Sequence, residues 1–148
     1  MNIIEINNPL DKNVSDSFIK ETLLEGISQL KKEGTIEDNL QFELSIALVD
    51  KESIKRYNSE YRKANKFTDV LSFCYDRTEN EINGEMLLCS DVIEEYAKED
   101  QLDVMDEFRK NLIHSLLHII GFEHGDEMFD LQGKLLEEIK AKKNKNEN

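Results

Sequence analysis

The sequence predicts an α+β fold in which a mixed β-sheet packs with helices around one central helix. Runs with strand-like alternation of apolar and polar residues are interspersed with runs whose apolar residues recur at helical spacing. One segment, residues 104–120, is apolar on nearly every side of a helical wheel, which is typical of a helix buried at the centre of a domain. Strands and helices interspersed in this way favour a mixed sheet.

Hydrophobic periodicity and capping residues predict nine elements. In chain order they are strand 3–6, helix 15–33, strand 42–48, helix 51–61, strand 68–75, strand 85–89, helix 90–98, helix 104–120 and helix 126–140.

Local signals determine the type and the ends of these elements. Residues 42–48 alternate between apolar and polar, as in a strand with one buried face. Ser15 and Ser90 are the expected N-caps of their helices, because a serine hydroxyl accepts a hydrogen bond from the first turn. Gly34 and Gly121 are the expected helix ends, because glycine adopts the left-handed conformation of a C-cap.

The dipeptide Asn83-Gly84 is expected to introduce the strand at residues 85–89. The separation between that strand and the one at residues 68–75 is longer than a tight hairpin turn. The two strands therefore need not be paired directly.

The 148 residues are 39% hydrophobic and 34% charged, which suits one domain, expected over residues 1–142, with a disordered tail over residues 143–148. No apolar run approaches the ~20 residues of a bilayer span, and the first residues lack the features of a secretory signal. No membrane contact and a cytoplasmic location are therefore expected. Cys74 and Cys89 lie in separate apolar stretches and are expected to be reduced and buried.

The net charge of −13 argues against broad, non-specific binding to nucleic acid or to anionic membranes. Residues 51–66 depart from this balance, because they include six basic and only two acidic residues. Two interpretations stay open for this segment: a solvated helix face with its loop, or a surface that faces phosphate groups.

The three histidines of the chain, His114, His118 and His124, all fall within eleven residues. His114 and His118 are separated by four positions, so they lie one turn apart on the same face of the predicted central helix. Gly121 can reverse the chain after the last helical turn and bring His124 back towards the other two. The alternative is three structural histidines that are hydrogen-bonded and free of metal.

Three imidazoles that converge in this way predict a metal site with one Zn²⁺ per chain, so that the central helix is a metal-binding helix. Three protein ligands leave the fourth tetrahedral position open for water, which is typical of catalytic rather than structural zinc. Nickel, copper and iron also accept imidazole ligands. The sequence therefore predicts a metal-dependent hydrolase whose native metal is most simply zinc.

The spacing of the three histidines is shared with metzincin proteases, in which a glutamate directly follows the first histidine as general base. Ser115 occupies that position here. Serine is a poor proton acceptor at neutral pH, so the substitution argues against peptide hydrolysis.

The chain resembles the YbeY family of bacterial single-domain endoribonucleases. The resemblance rests on HSLLHIIGFEH at residues 114–124, on Arg62 followed by TDVLSF at residues 68–73, and on a Gly84-Glu85 strand that leads to Ser90-Asp91. The resemblance covers about residues 40–130, with the motifs in the order that the family has them.

The resemblance implies a metal-dependent endoribonuclease that cleaves single-stranded ribosomal RNA. It implies a role in maturation of the small-subunit rRNA 3′ end and in ribosome quality control, with the ribosome or ribosomal proteins as partners. Arg62 and His114 are the catalytic residues that it indicates. Arg62 also lies in the locally basic segment, and a guanidinium suits the charge that develops on a phosphodiester.

The general base is left open by the sequence. Glu123 precedes a ligand and can support the site or simply face solvent, while water or a hydroxyl of the substrate can also serve. Asp69 and Ser72 are expected to stabilise the strand and loop.

Two other functions stay open: a metal-dependent peptidase, and a non-enzymatic ribosome-assembly factor in which zinc is structural.

Overall fold

The structure is a computed structural model that describes residues 2–9, 14–62 and 68–147, without the side chains of residues 62 and 145–147. The elements of the described residues are β1 (Ile3–Asn7), α1 (Asp16–Lys32), β2 (Gln41–Leu48), α2 (Lys51–Arg62), β3 (Val70–Arg77), β4 (Glu81–Leu88), α3 (Ser90–Asp100), α4 (Val104–Ile120) and α5 (Asp126–Glu147). Their types and order are those predicted, and α4 has the predicted ends. No helix in the described ranges combines the length and the apolar character of a bilayer-crossing segment.

The four strands form one sheet in the order β1-β2-β4-β3. The strand β2 pairs in parallel with both β1 and β4, whereas β3 is antiparallel to β4. The sheet is therefore mixed, and β3 is one of its two edge strands. Together with the five helices it confirms the predicted α+β fold.

Helix α4 lies at the centre of the molecule and contacts α1, α3, α5, β3 and β4. Its side chains Phe108, Leu112 and Leu116 are fully buried in the larger of two apolar clusters. A smaller cluster on the other face of the sheet contains Ile54 of α2 and Leu71 of β3. The central position predicted for this helix is confirmed, because its apolar residues on all sides find partners in the sheet and in three helices.

The helix ends follow local chemistry, with one exception. The Ser15 hydroxyl accepts a hydrogen bond from the Phe18 N–H at 3.1 Å, as expected of an N-cap, and Gly34 adopts a positive φ of 76°. The prediction that Ser90 caps α3 is wrong. Cys89 holds the N-cap position, while Ser90 is the first helical residue and is buried. Helix α3 therefore begins one residue earlier than an N-cap at Ser90 would predict.

The sequence left open whether β3 and β4 pair, and the structure pairs them directly. Both strands extend towards each other and form an antiparallel hairpin, with Thr78 N–H donating to the Glu81 carbonyl at 2.9 Å across the turn. The Asn83-Gly84 pair lies inside β4 rather than before it. A Cβ on Gly84 would lie 2.8 Å from a methyl of Ile119 and 2.9 Å from the Phe73 carbonyl oxygen. Glycine is needed there for close packing of α4 on the sheet.

Two further expectations differ from the structure. The last helix continues to Glu147, beyond residue 140, and replaces the tail predicted as disordered up to residue 147. Lysines are good helix formers, the chain has no proline there, and Lys142 binds Glu25 of α1 at 2.9 Å. Cys89 is buried as expected, but Cys74 is exposed because it lies on the edge strand. The division of the chain into one domain over residues 1–142 stays a prediction.

Candidate metal centre

Helix α4 and the turn that follows it position the three histidines. The helix begins at the Asp103 N-cap, whose carboxylate accepts from the Asp106 N–H, and it ends at Gly121 with φ 123°. His114 and His118 lie on the helix and are half-buried, whereas His124 lies in the loop after Gly121 and is exposed. The glycine turn therefore brings His124 back to the helix as the sequence predicts.

The three imidazoles converge through their Nε2 atoms. Nε2 of His124 lies 3.1 Å from Nε2 of His114 and 3.2 Å from Nε2 of His118. Two nitrogens that bind one zinc ion tetrahedrally at 2.0–2.1 Å are about 3.3–3.4 Å apart. Among the described residues, this is the one group of histidine, cysteine or acidic side chains with the proximity expected of metal ligands. The spacing and the donor set therefore fit a single small cation.

Two hydrogen bonds determine which ring nitrogens are available. Nδ1 of His114 donates to the Gln132 side-chain carbonyl at 2.7 Å, and Nδ1 of His118 donates to the Phe122 backbone carbonyl at 3.2 Å. Both acceptors require a proton on Nδ1, so each Nε2 presents a lone pair in the neutral ring. Such second contacts orient metal-binding imidazoles.

Hydrogen bonds among the three rings cannot account for both short distances from Nε2 of His124. An imidazole nitrogen carries either one N–H or one lone pair in the plane of the ring. Nε2 of His124 can therefore donate to His114 or to His118, but not to both. A cation uses all three lone pairs at once, so the donor set fits a metal better than it fits the metal-free alternative.

The surroundings of His114 keep its ring neutral. Burial lowers the pKa of this imidazole below its ordinary value and outweighs the hydrogen bond to Gln132, which raises the pKa. Electrostatic interactions with His124 and Lys110 also lower the pKa of His114, while the Asp69 carboxylate raises it. A neutral imidazole is the form that binds a metal.

The end of α4 is held by a residue from the sheet. The Arg77 guanidinium of β3 donates a hydrogen bond to the Ile120 carbonyl, one of the carbonyls that the helix leaves unpaired at its C-terminus. A cation is also favourable at this end of the helix dipole. A Cβ on Gly121 would lie 3.2 Å from the same guanidinium. The turn that carries His124 is thus fixed by both Gly121 and Arg77.

The histidines lie in an open cleft of about 460 Å³ between β3, α4 and α5. Besides the histidines, its lining includes Thr68, Asp69, Ser72, Lys110, Phe129 and Gln132. The three histidines therefore line a cleft that is open to solvent, and Lys110 lies at its wall.

Lys110 and Gln132 are among the cleft residues that sequence reasoning missed. Lys110 lies four residues before His114, so the same helical spacing that indicates the histidine pair also places it on that face. Its ammonium is 3.1 Å from the carboxylate of Glu107, which is buried. Gln132 is separated from His114 by 18 residues and belongs to another helix. No spacing in the sequence connects that pair.

Ser115 has a structural contact. Its hydroxyl is fully buried and lies 2.6 Å from the Ser72 hydroxyl, so the pair joins α4 to β3. It points into the packing between helix and sheet, where it has no role as a proton acceptor. Asp69 accepts a hydrogen bond from the Val70 N–H at 3.0 Å. Ser72 and Asp69 therefore stabilise the strand and loop as expected, while both also line the cleft.

Arg62 and Glu123, which the sequence analysis singled out, are not among the described residues that line the cleft. Arg62 is the last residue of α2, but its side chain and residues 63–67 of the predicted loop lie outside the described part of the chain. Its role towards phosphate stays a prediction. Glu123 is exposed and is not among the residues that line the cleft.

The fold and site together define a class: α+β proteins with a three-histidine candidate metal centre beside the edge of a mixed sheet. A family model described as Endoribonuclease YbeY matches residues 5–140. The chain belongs to the YbeY endoribonuclease family, and it is therefore a hydrolase of the endoribonuclease class.

Curated relatives agree with this assignment. The chain is 36% identical over 138 residues to Endoribonuclease YbeY of Thermosipho melanesiensis, an alignment that covers 89% of this chain and 93% of that protein. It is 32% identical over 152 residues to Endoribonuclease YbeY of Persephonella marina, with 95% of each chain covered. The solution structure of TM1509 from Thermotoga maritima is similar with a TM-score of 0.62 and 26% identity, over 99% of this chain and 93% of that one.

Proposed function

We propose that this endoribonuclease is metal-dependent and cleaves single-stranded ribosomal RNA in the cytoplasm. Its role would be maturation of the small-subunit rRNA 3′ end and ribosome quality control, with the ribosome or ribosomal proteins as partners. The observation that carries the proposal is the convergence of three Nε2 atoms in an open cleft, in a member of an endoribonuclease family.

His114, His118 and His124 would hold the metal, with zinc the simplest occupant of three imidazoles. When bound, such a cation polarises a phosphoryl oxygen and lowers the pKa of a bound water. The chain's own residues would orient the substrate. Lys110 attracts a phosphate at the cleft wall, and Arg62, at the end of α2, would bind a phosphoryl oxygen through its guanidinium.

His114 would act in catalysis through its position. Its Nδ1 is fixed by Gln132, so its Nε2 is held on the cleft side where a scissile phosphate would lie. The cleft also contains the Asp69 carboxylate, which can accept a proton from water or from a substrate hydroxyl.

A peptidase is disfavoured because Ser115, at the position of the protease base, is buried against Ser72. A structural zinc is disfavoured because such sites are usually closed by four protein ligands, whereas the described residues offer three beside an open cleft.

The test is cleavage of an end-labelled, single-stranded fragment of ribosomal RNA by the zinc-loaded chain. His118→Ala removes one ligand and should abolish cleavage, as should a chelator. Glu123→Gln is the matched control, because this exposed neighbour of His124 lies outside the cleft lining and its change should leave cleavage intact. Arg62→Ala should lower the rate while Arg62→Lys restores part of it.

Each result separates the alternatives. Cleavage that persists in His118→Ala argues against a metal-dependent site. Cleavage of casein but not of RNA would favour the peptidase. A far-ultraviolet circular dichroism spectrum that collapses on chelation, without any RNA cleavage by the loaded chain, would favour a structural zinc in an assembly factor.

A further inference from the structure

Four aromatic rings from α2 and β3 form a continuous series on the face of the sheet opposite α4. The centroids of Tyr57 and Tyr61 are 6.2 Å apart, those of Tyr61 and Phe73 are 5.2 Å apart, and those of Phe73 and Tyr75 are 6.2 Å apart. The first and last pairs have nearly parallel planes, at 17° and 10°. We call Tyr57, Tyr61, Phe73 and Tyr75 the aromatic ladder.

Half of the aromatic ladder is anchored and half is open to solvent. Tyr57 and Phe73 pack against the smaller apolar cluster, so their rings are held in place. Tyr61 and Tyr75 are 62% and 64% exposed. Packing of the smaller cluster therefore does not account for these two rings.

The strand β3 connects the aromatic ladder to the metal centre. Successive side chains of a strand point to opposite faces, so Ser72 contacts α4 beside the histidines while Phe73 faces α2. Tyr75 lies at a break in the register between Cys74 and Asp76, and such bulges re-aim a side chain. Because β3 is an edge strand, a flexible chain can pass around it from one face to the other.

Helix α2, which carries two rings of the aromatic ladder, differs in its charge balance from the whole chain. Helix α2 has the sequence KESIKRYNSEYR, with four basic and two acidic residues, in a chain whose net charge is −13. Arg56 lies on this helix with its guanidinium 5.8 Å from the centroid of the Tyr57 ring. Positive charge next to exposed rings is the combination by which proteins bind single-stranded nucleic acid.

We propose that the aromatic ladder is a binding surface for single-stranded RNA, on which bases stack against Tyr61 and Tyr75 while α2 contacts the phosphates. The inference rests on the proposed function, because the bound RNA is the part of the substrate strand that flanks the scissile bond. Rings on a sheet surface that stack bases are a common mode of recognition of unpaired RNA. The basic helix favours a polyanion over a protein partner.

The hydroxyl of Tyr75 has a hydrogen-bond partner that orients its ring. Tyr75 donates a hydrogen bond to the Glu85 carboxylate at 2.6 Å, and this bond raises the pKa of Tyr75 to about 12. The hydrogen bond to Glu85 orients the ring, which is neutral at physiological pH like that of any tyrosine. A neutral, fixed ring is suited to stacking, which needs no charge from the side chain.

The test measures RNA affinity separately from cleavage. A fluorescently labelled, single-stranded oligoribonucleotide is titrated with the full-length chain in the presence of a chelator, and its integrity is checked on a gel. Tyr61→Leu and Tyr75→Leu each remove an exposed ring and should raise Kd by about 5- to 150-fold, equivalent to about 1–3 kcal/mol per stacked base. Tyr61→Phe and Tyr75→Phe keep the ring and should bind within about threefold of the wild type.

A matched control uses another exposed tyrosine. Tyr96 lies on α3 and is 38% exposed, outside the aromatic ladder, so Tyr96→Leu should leave Kd unchanged. Arg56→Gln should reduce the slope of log K against log salt by about 0.7, the value for one phosphate contact on a single strand.

A second readout locates the RNA directly. Photochemical crosslinking of 5-iodouridine in the oligonucleotide to the wild-type chain should give adducts at Tyr61 or Tyr75 in a peptide map. Unchanged Kd in both folded leucine variants, with crosslinks elsewhere, would overturn the inference. The wild-type chain could instead bind the oligonucleotide without cleaving it, while the leucine variants lose affinity. That result would keep the inference and reject the proposed activity.

Discussion

The hydrogen bond between His114 and Gln132 gives a quantitative test of the candidate metal centre. Gln132 is only 8% exposed, and its side-chain oxygen lies 2.7 Å from Nδ1 of His114. Gln132→Leu keeps a side chain of similar size and removes this acceptor. The imidazole then loses the contact that fixes its tautomer and its orientation. Removal of such contacts lowers metal affinity by about 10- to 100-fold in other proteins.

This change in affinity converts into thermal stability. Binding to the folded state stabilises it by RT ln(1 + [L]/Kd), which is about 2.7 kcal/mol when free metal is 100-fold above Kd. At the same metal concentration, a tenfold weaker site gains about 1.4 kcal/mol and a hundredfold weaker site about 0.4 kcal/mol. For a chain of this size, 1 kcal/mol shifts Tm by about 2–4 °C. The metal-induced shift should fall from about 5–11 °C to about 1–6 °C.

The assay compares Tm with and without zinc at a buffered free concentration set to 100 times the Kd of the wild type. Competition with a chromophoric chelator gives Kd independently. Gln29→Leu is the matched control, because Gln29 lies on α1 and bonds Glu33 rather than a histidine. Its metal-induced shift should equal that of the wild type.

One result would refute the reasoning about this contact. If Gln132→Leu is folded and its Kd for zinc stays within twofold of the wild type, the Nδ1 hydrogen bond does not position the ligand. Equal losses of zinc affinity in Gln132→Leu and Gln29→Leu would instead show that the affinity depends on the stability of the fold rather than on the orientation of the ligand.

Three further predictions concern packing, the loop of His124 and the thiols. Gly84→Ala should lower the free energy of unfolding in urea by about 1–3 kcal/mol, because its Cβ would overlap Ile119 and a backbone oxygen. Gly133→Ala, with open space around it in α5, should be neutral or stabilising, and equal effects would contradict the packing argument. Gly121→Ala strains a residue at φ 123° and should weaken zinc binding in the chelator assay; unchanged Kd would show that the turn does not position His124. Cys74 is exposed and should react rapidly with a thiol reagent. Cys89 should react only in denaturant, because it is buried and burial raises its pKa. Two rapidly reacting thiols in the folded chain would contradict this prediction.

Several features of the fold were predictable from local sequence. The bounds of α4 follow from its apolar run and from Gly121, and the histidine pair follows from the four-residue spacing. The N-cap at Ser15 and the alternation in β2 are likewise local. Each of these features depends on residues within about one helical turn or a few strand positions of one another, so the pattern alone carries the information.

Other features needed the tertiary structure. The pairing of β3 with β4 could not be predicted because the Asn-Gly signal lies inside a strand, where Gly84 is required by Ile119 of a distant helix. Cys74 was expected to be buried, but strand order makes β3 an edge. Apolar periodicity shows that a strand has a buried face, yet it does not show which neighbour lies on either side.

The sequence by itself determined which residues can bind a metal, because helix geometry and one glycine turn bring three histidines to the same side. Only the tertiary structure decided how those rings are oriented, since Gln132 comes from another helix and Ser72 from the edge strand. The same holds for the aromatic ladder, whose rings come from α2 and β3. Contacts between segments far apart in the chain are set by packing of the whole core, and no local pattern encodes them.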